Sequence, residues 1–420
     1  MTGLGDRGSP RRVAYQRLCL ASGHHDGTST AASAGTESAE VRFAACRGPR
    51  QYADPFAGQG TVQRFCQARW SSPALAAPFP FHELVLSWQA RTPGRSWLEF
   101  SVRARMVAAN GWSDWLVLAR WADHDEAVRP TSVPGQTASG VRVATDTVLI
   151  AGGADAWQVR AVLLRPPGED ETGPVLGGLG AMISTSAGTG TSGSPPATER
   201  APEQVRAAGP VLEPGRAAGR VLDVPPLSQR IHAGRYPQWG GGGDGWCSPT
   251  SVTMVLSYWG RGPDPDAIAW VDPSYPDPAV YHAVRHCWDH AYSGAGNWSF
   301  NTAYAAGFGL RAFVTRLRGL AEAEQFIAAG IPLVASIQVD PTALAGADYA
   351  SPGHLVVLAG FTEAGDAVVN DPGAIDPGTV RRVYRRDQFE RAWLCGSGGV
   401  VYVIHPPPVA LPRAAAEPNW

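Results

Sequence analysis

Hydrophobic residues recur at every second position through much of the first half of the chain. The clearest run places Leu98, Phe100, Val102, Ala104 and Met106 on one face, with Glu99, Ser101, Arg103 and Arg105 between them. The same alternation returns in residues 84–88 and 157–163. A period of two puts alternate side chains on opposite faces of a strand, and the Pro and Gly residues between the runs are typical of turns. Residues 41–186 are therefore predicted to form an antiparallel β-sandwich or jelly roll.

The second half begins with helical spacing and continues with short strands. Val252, Val255, Leu256 and Trp259 recur at i, i+3, i+4 and i+7, and Val280, Ala283, Val284 and Cys287 repeat that spacing. Four β-branched runs follow at 331–339, 355–361, 367–370 and 400–404. This order is typical of an α+β domain, so the chain as a whole is predicted to be an α+β multidomain protein.

Segments without hydrophobic period separate and flank these two parts. Residues 189–204 read TGTSGSPPATERAPEQ, and we predict a flexible linker over 187–220 between two separate folding units. Residues 1–40 are rich in Gly, Ser, Thr and Ala and are predicted to form a loose N-terminal segment. The second domain is then predicted to span 221–408, followed by a tail over 409–420.

The composition excludes several kinds of catalytic site and does not indicate a charged partner. The 35 basic and 37 acidic residues leave a net charge of -2, which gives no reason to expect a nucleic acid or an anionic membrane as partner. Every basic residue is arginine, and this excludes a lysine phosphate-binding loop, a lysine Schiff base and a Ser-Lys catalytic pair. No apolar run approaches the ~20 residues that cross a bilayer, and the first residues do not resemble a signal peptide, so the sequence as written predicts a cytoplasmic protein.

The six cysteines lie far apart in the sequence and lack the CxxC spacing of a zinc site. They are predicted to be free thiols, and no metal is required. Cys247 differs from the others because it directly precedes the first helical stripe, with Pro249 in the first turn. The unpaired amides and the dipole of a helix N-terminus stabilise a thiolate, which lowers the cysteine pKa from about 8.5. Cys247 is therefore the candidate nucleophile.

A thiolate nucleophile needs a base, a group that orients the base and a donor for the developing oxyanion. His354 precedes an apolar run that a strand could carry into a cleft, and it is the candidate base. Asp371 or its neighbour Asn370 ends the next run and could orient the imidazole, although Asp371 before Pro372 could equally form a turn. Gln229 is the candidate oxyanion-hole side chain, with a surface-loop residue as the alternative.

Four ordered motifs carry a resemblance to a known family. VPPLSQ, WCSPTSVTMVL, GHLVVLAGF and VVNDP, all within residues 221–405, resemble the C39-like cysteine peptidases of bacteria, a branch of the papain-like fold. The resemblance implies proteolysis through a thioester acyl-enzyme without a cofactor, with Cys247 as nucleophile, His354 as base, Asp371 as orienting residue and Gln229 in the oxyanion hole. It also suggests an extracellular location. Ser248 departs from the glycine that many relatives have after the cysteine, and GGGGDG is a long insertion between Gln229 and Cys247.

Other aromatic and imidazole side chains suggest binding surfaces. Trp246 and Trp298 could shape a groove for a peptide or protein substrate, whereas Trp112, Trp115 and Trp121 could line a sugar-binding surface or belong to the core. His282, His286 and His290 recur every four residues, and a solvated helix face is a better interpretation than a metal site. Two alternative functions remain open: a glycan- or cell-wall-binding protein whose papain-like domain is inactive, and an acyl or peptidyl transferase.

Overall fold

The N-terminal half folds into one antiparallel sheet, seen in a computed structural model that describes residues 11–32, 39–58, 62–168, 173–186 and 215–420. Its fifteen strands are β1 Val13–Arg17, β2 His24–Asp26, β3 Thr28–Ala32, β4 Ala39–Phe43, β5 Pro49–Ala53, β6 Val62–Ser71, β7 Leu75–Arg91, β8 Trp97–Met106, β9 Gly111–Trp112, β10 Leu116–Trp121, β11 Thr131–Ser132, β12 Thr137–Ala138, β13 Val141–Ala144, β14 Thr147–Arg165 and β15 Val175–Ser184. We call this part the N-terminal β-domain.

The alternating residues of the sequence form the core of the N-terminal β-domain. Leu98, Phe100 and Val102 of β8 are buried, and Trp88 stacks on Phe100 with ring centroids 4.5 Å apart. β14 pairs with β8 along residues 154–164 and with β6 along residues 160–165. The period-two pattern therefore predicts the strands and their buried face correctly.

Two expectations about this half are wrong. Residues 13–32, which lie in the segment predicted to be loose, form β1, β2 and β3, and β1 pairs with β15 from Val13↔Ser184 onward. Pairing with a distant strand supplies hydrogen bonds and burial that the local composition does not reveal. Cys46 and Cys66 form a disulfide instead of remaining free thiols. The pairing of β5 with β6 places Pro49 opposite Cys66, and this brings Cys46, just before β5, close to Cys66.

The C-terminal half contains a six-stranded antiparallel sheet with helices packed against it, and we call it the C-terminal domain. Its elements are α1 Cys247–Tyr258, α2 Pro265–Ile268, α3 Pro278–Cys287, α4 Trp298–Ala306, β16 Arg311–Arg316, α5 Leu320–Ala328, β17 Leu333–Val339, β18 Ser351–Phe361, β19 Ala367–Asn370, β20 Arg381–Tyr384, α6 Arg386–Ser397 and β21 Val400–His405. The sheet order is β16-β21-β17-β18-β19-β20. All four strands predicted from apolar runs are present, and β16 and β20 are additional.

The two domains pack closely against each other, and whether each folds on its own stays a prediction. Phe300 of α4 is fully buried, and its ring lies 6.0 Å from that of Trp88 in the N-terminal β-domain. The Ser299 hydroxyl donates to the carbonyl of Leu86 at 2.7 Å, and the Val314 N-H donates to the Ser87 hydroxyl at 2.9 Å. The predicted tail is also packed, since the Asn419 side chain donates to the Arg316 carbonyl at 2.8 Å. In the described ranges, no helix is both long and apolar enough to span a membrane.

Candidate active site

Cys247 is the first residue of α1, at the end where helix amides lack partners inside the helix. Residues 248–256 are all buried, so α1 is held in the interior of the C-terminal domain. The Ser251 hydroxyl donates to the carbonyl of Leu355 at 3.0 Å, and the hydroxyls of Ser248 and Tyr402 are 2.9 Å apart. These contacts fix the start of α1 against β18 and β21, and they give Ser248 a structural role.

His354 lies on β18 and is buried at the start of the apolar run. Its Nε2 is 2.8 Å from Oδ1 of Asp371. Because Nε2 is engaged there, Nδ1 is the nitrogen left to face the thiol, and the imidazole and the Cys247 thiol are close enough to shift each other's pKa. The structure thus brings together two residues that are 107 positions apart in the sequence, His354 minus Cys247.

Asp371 follows β19 and is fully buried, yet its carboxylate is well supplied with donors. The Tyr349 hydroxyl lies 2.8 and 2.9 Å from the two carboxylate oxygens, and the Tyr384 hydroxyl donates to Oδ2 at 3.0 Å. The backbone N-H of Gly373 donates to Oδ1 at 2.8 Å. Together with His354 these donors satisfy a buried charge, which would otherwise be costly.

Asn370, the alternative orienting residue, points elsewhere. Its Nδ2 donates to the Val224 carbonyl at 2.9 Å, and its Oδ1 accepts from Nε of Arg381 at 3.0 Å. Adjacent residues of a strand face opposite sides, so only one of the two side chains can reach the imidazole. The geometry places Asp371 in that position.

The three side chains shift one another's protonation. Burial alone would raise the pKa of the Cys247 thiol, but the hydrogen bond and positive charge of His354 lower it below its ordinary value. Burial would likewise depress the pKa of His354, and the hydrogen bonds to Asp371 and Cys247 reverse this and raise it. The pKa of Asp371 is lowered, because the contacts with His354, Tyr349 and Gly373 outweigh its burial. These directions favour a thiolate beside an imidazolium.

Gln229 is almost completely buried, with 2% of its surface exposed, so the surface-loop alternative is wrong. Its backbone N-H donates to the carbonyl of Pro372 at 2.9 Å, directly after Asp371. Within the described part of the chain its Oε1 has no hydrogen-bond partner. The unused Oε1 is an acceptor and suits a donor on a bound group, whereas an oxyanion requires the Nε2 of the same amide.

The glycine-rich insertion between Gln229 and Cys247 forms a turn that side chains would obstruct. Gly240 to Gly243 all have positive φ angles between 69° and 78°. A Cβ on Gly242 would also collide with the carbonyl of His232. Glycine tolerates this conformation, so the insertion returns the chain to α1 as a compact loop.

The two tryptophans that were predicted to shape a substrate groove differ in burial. Trp246 is 1% exposed, donates from Nε1 to the carbonyl of Trp239 at 2.7 Å and packs against Tyr281, so it cannot line a groove in this structure. Trp298 is partly buried at the domain interface, where its backbone N-H donates to Asp146 at 2.7 Å. Its role in a substrate groove stays a prediction.

Three tyrosines near the site carry no distinctive sequence signal. Tyr349 and Tyr384 hold Asp371, and the Tyr349 ring packs edge-on to the His354 imidazole at 5.2 Å. Gly373 leaves room for this arrangement, because a Cβ there would lie 2.7 Å from the Tyr349 hydroxyl. Tyr292 is 51% exposed, and partial burial, followed by the charges of Asp146 and Cys247, raises the pKa of its hydroxyl.

The three histidines of α3 and the following turn do not form the solvated face that the spacing favoured. His282 is buried and stacks on His286 at 3.9 Å, while its Nδ1 lies 2.8 Å from the Tyr304 hydroxyl. His290 contacts the Pro130 carbonyl at 3.0 Å. Among the residues that the structure describes, no group of three or more His, Cys, Asp or Glu is arranged to hold a metal ion.

Comparison with known proteins assigns both halves of the chain. Residues 14–184 match the Peptidase C39 N-terminal domain, and residues 221–398 match the Peptidase_C39 like family. No curated protein matches the chain. Among solved structures, the cleaved adhesin domain of Lys-gingipain from Porphyromonas gingivalis is 13% identical and aligns with 41% of this chain and 99% of its own, but its TM-score of 0.17 supports no argument.

Proposed function

The chain belongs to the C39-like peptidase family and carries the N-terminal domain of that group, and from this we propose that it is a cysteine peptidase that hydrolyses peptide bonds through a thioester acyl-enzyme. The observation that carries the proposal is the meeting of Cys247, at the start of α1, with a buried His354 whose Nε2 lies 2.8 Å from Oδ1 of Asp371. We propose that the C-terminal domain has the papain-like arrangement, in which the nucleophile begins a central helix and the base lies on a strand of the adjacent sheet.

In the first half of the reaction, the Cys247 thiolate attacks the carbonyl carbon of the scissile bond. The negative charge moves to the carbonyl oxygen, and the Cys247 backbone N-H and the Gln229 side-chain amide donate to it. The His354 imidazolium then gives its proton to the leaving nitrogen as the carbon–nitrogen bond breaks. An amine product departs, and the acyl group remains on sulfur as a thioester.

In the second half, the now neutral His354 removes a proton from water as the water oxygen attacks the thioester carbon. Collapse of this second intermediate releases a carboxylic acid and regenerates the thiolate and the imidazolium. Asp371 stays ionised throughout, holding the ring by Nε2 and stabilising its charge. Tyr349 and Tyr384 are positioning residues, because they act on Asp371 and not on the substrate.

Replacement of the nucleophile tests the proposal. The Cys247→Ser variant is expected to lose hydrolysis of a denatured protein substrate and to lose the rapid reaction with iodoacetamide at pH 6, where an unperturbed thiol is almost fully protonated. Cys19→Ser is the matched control, because Cys19 is exposed and its pKa is also lowered, chiefly by the hydrogen bond to Ser22.

The control is expected to keep both activities. Loss of labelling in Cys19→Ser, with Cys247→Ser still labelled and active, would overturn the proposal. Mass spectrometry of the wild-type chain after brief treatment with substrate adds a direct test, since an acyl group on Cys247 is expected.

A further inference from the structure

An oblique row of arginines crosses the face of the N-terminal β-domain that points away from its core. Arg103 on β8, Arg160 on β14 and Arg69 on β6 belong to three adjacent strands, and we call them the arginine row. Arg160 pairs with Ser101 and Ser71, so Arg103 and Arg69 are each displaced by two residues from it, in opposite directions along β14. The three side chains therefore lie on one diagonal of the sheet.

Aromatic rings hold two of these guanidinium groups in place. The Trp115 ring centroid lies 4.7 Å from Cζ of Arg103 and 4.1 Å from Cζ of Arg160, and the Trp112 ring is 4.8 Å from Cζ of Arg103. Nε and Nη2 of Arg103 also donate to Oε1 of Gln158 at 2.8 and 2.6 Å. Stacking of this kind fixes the plane of a guanidinium. In Arg103 the edge formed by Nε and Nη2 is taken by Gln158, so its Nη1 is the group left for another partner.

These contacts argue against the sugar-binding surface considered for Trp112, Trp115 and Trp121. Guanidinium groups occupy ring faces of Trp112 and Trp115 that a sugar would need. Trp121 is 1% exposed and belongs to the core. The aromatic residues serve to order arginines.

The positive charge of the arginine row is not balanced by neighbouring acids. Glu99, a buried carboxylate on β8, is already paired with Arg50 and Arg120, each at 2.9 Å. Asp155 is paired with Arg105 at 2.7 Å, and Asp26, which lies opposite Arg69 on β2, is paired with Arg47 at 3.1 Å. In the described ranges, Nε of Arg69 and Nε of Arg160 are buried and have no hydrogen-bond partner. Packing like charges side by side raises the free energy of the unliganded protein, and an anionic ligand would relieve this.

We propose that the arginine row binds an extended acidic peptide segment with acidic residues at alternate positions. Diagonal neighbours on adjacent strands are about 7–8 Å apart. Side chains on one side of an extended peptide recur about every 6.6 Å, so successive acidic residues can meet successive arginines. A guanidinium can donate two parallel hydrogen bonds to one carboxylate, which suits Asp and Glu side chains as ligands. This site is independent of Cys247.

The test uses the full chain carrying Cys247→Ala, so that a bound peptide cannot be cleaved. Fluorescence anisotropy follows a labelled six-residue peptide of alternating Asp and Ser, and a second peptide has the same composition with its Asp residues in one block. We expect the alternating peptide to bind more tightly, with an affinity that falls as salt is raised. Arg160→Gln is expected to weaken binding about tenfold, because it removes a hydrogen bond to a charged group.

Arg142→Gln is the matched control, since Arg142 is exposed on β13 outside the arginine row and its loss changes the net charge equally. It is expected to change the affinity less than twofold. Arg160→Lys keeps the charge without the fork and should give an intermediate affinity, which separates binding from misfolding. Equal loss in Arg160→Gln and Arg142→Gln, equal binding of the two peptides, or tighter binding of an oligogalacturonate than of the alternating peptide would overturn the proposal.

Discussion

The carboxylate of Asp371 and the guanidinium of Arg160 lie in opposite kinds of environment. Asp371 is fully buried, and His354, Tyr349, Tyr384 and Gly373 all contact its carboxylate within 3.0 Å. Arg160 lies on a sheet face between arginines, and its charge has no adjacent free carboxylate among the described residues.

The two environments correspond to two roles of a charged side chain: holding a fixed geometry and binding a partner. A buried charge with all its partners supplied costs little and holds a fixed geometry, which suits a group that orients an imidazole. A partly exposed charge with unused donors keeps its capacity for a partner from outside. We therefore expect mutations at Asp371 to change chemistry and stability together, and mutations at Arg160 to change binding alone.

Asp371→Asn should have the largest effect, because it removes the negative charge that stabilises the imidazolium while keeping the size of the side chain. If the thiolate loses about two pKa units of stabilisation, the rate of Cys247 alkylation at pH 6 falls about a hundredfold. A bell-shaped profile is expected for the wild-type chain, with an acid limb below the ordinary thiol pKa and a basic limb above the ordinary histidine pKa.

Asp387→Asn is the control for this experiment, since Asp387 is partly exposed on α6 and pairs with Arg385 at 3.2 Å, away from Asp371 and His354. It should leave the profile unchanged. If both variants shift the profile equally, the special role assigned to the buried carboxylate is wrong.

The paired substitution Tyr349→Phe and Tyr384→Phe should have an intermediate effect, as it removes two hydroxyl donors and no charge. A hydrogen bond to a charged group contributes about 2 kcal/mol, so the free energy of unfolding at pH 7 should fall by a few kcal/mol. The pKa of Asp371 is depressed to about 2, so its contribution is present above its ordinary value and lost as pH falls through about 2. With fewer donors that pKa rises, so the loss of stability still begins near the ordinary carboxyl pKa but ends at a higher pH and is smaller in total.

Urea unfolding between pH 2 and pH 7 measures this difference. Tyr258→Phe is the matched control, because its hydroxyl donates to the Gly330 carbonyl at 3.0 Å and not to a carboxylate. It should lower stability by about 1 kcal/mol at every pH. A double variant with the same pH dependence as the wild-type chain would show that the tyrosines do not sustain the ionised Asp371.

Arg160→Gln should have the smallest effect on stability. Loss of the contact with Trp115 costs about 0.5–1 kcal/mol, while relief of repulsion from Arg69 and Arg103 offsets it. The free energy of unfolding should therefore change by less than about 1 kcal/mol. Destabilisation comparable to that of the double tyrosine variant would mean that the arginine row is a structural element, and it would remove the contrast with Asp371.

Periodic patterns predicted the strands β8, β14, β18 and β21 and the helices α1 and α3, because each buries one face against a core. They did not predict β1, whose residues become a strand only by pairing with β15 at the other end of the domain. They also gave no indication that Phe300 would enter the core of the N-terminal β-domain. Local patterns report which face is buried, not what it is buried against.

The same limit applies to the site. Cys247 and His354 were identifiable because one begins a helical stripe and the other begins an apolar run. The choice between Asp371 and Asn370 remained open, because spacing along a strand does not say which face meets the imidazole. Tyr349 and Tyr384 were not identifiable, since a tyrosine that donates to a carboxylate looks like any other tyrosine in the sequence.

The sequence by itself predicted the order of the two domains and the candidate nucleophile and base, and it excluded lysine chemistry. Only the tertiary structure decided the orientation of Asp371, the disulfide between Cys46 and Cys66, the interior position of Trp246, and the alignment of three arginines from three strands. The physical reason is that residue type and local spacing set which chemistry is possible. Hydrogen-bond partners and charge balance depend on side chains brought together from distant parts of the chain.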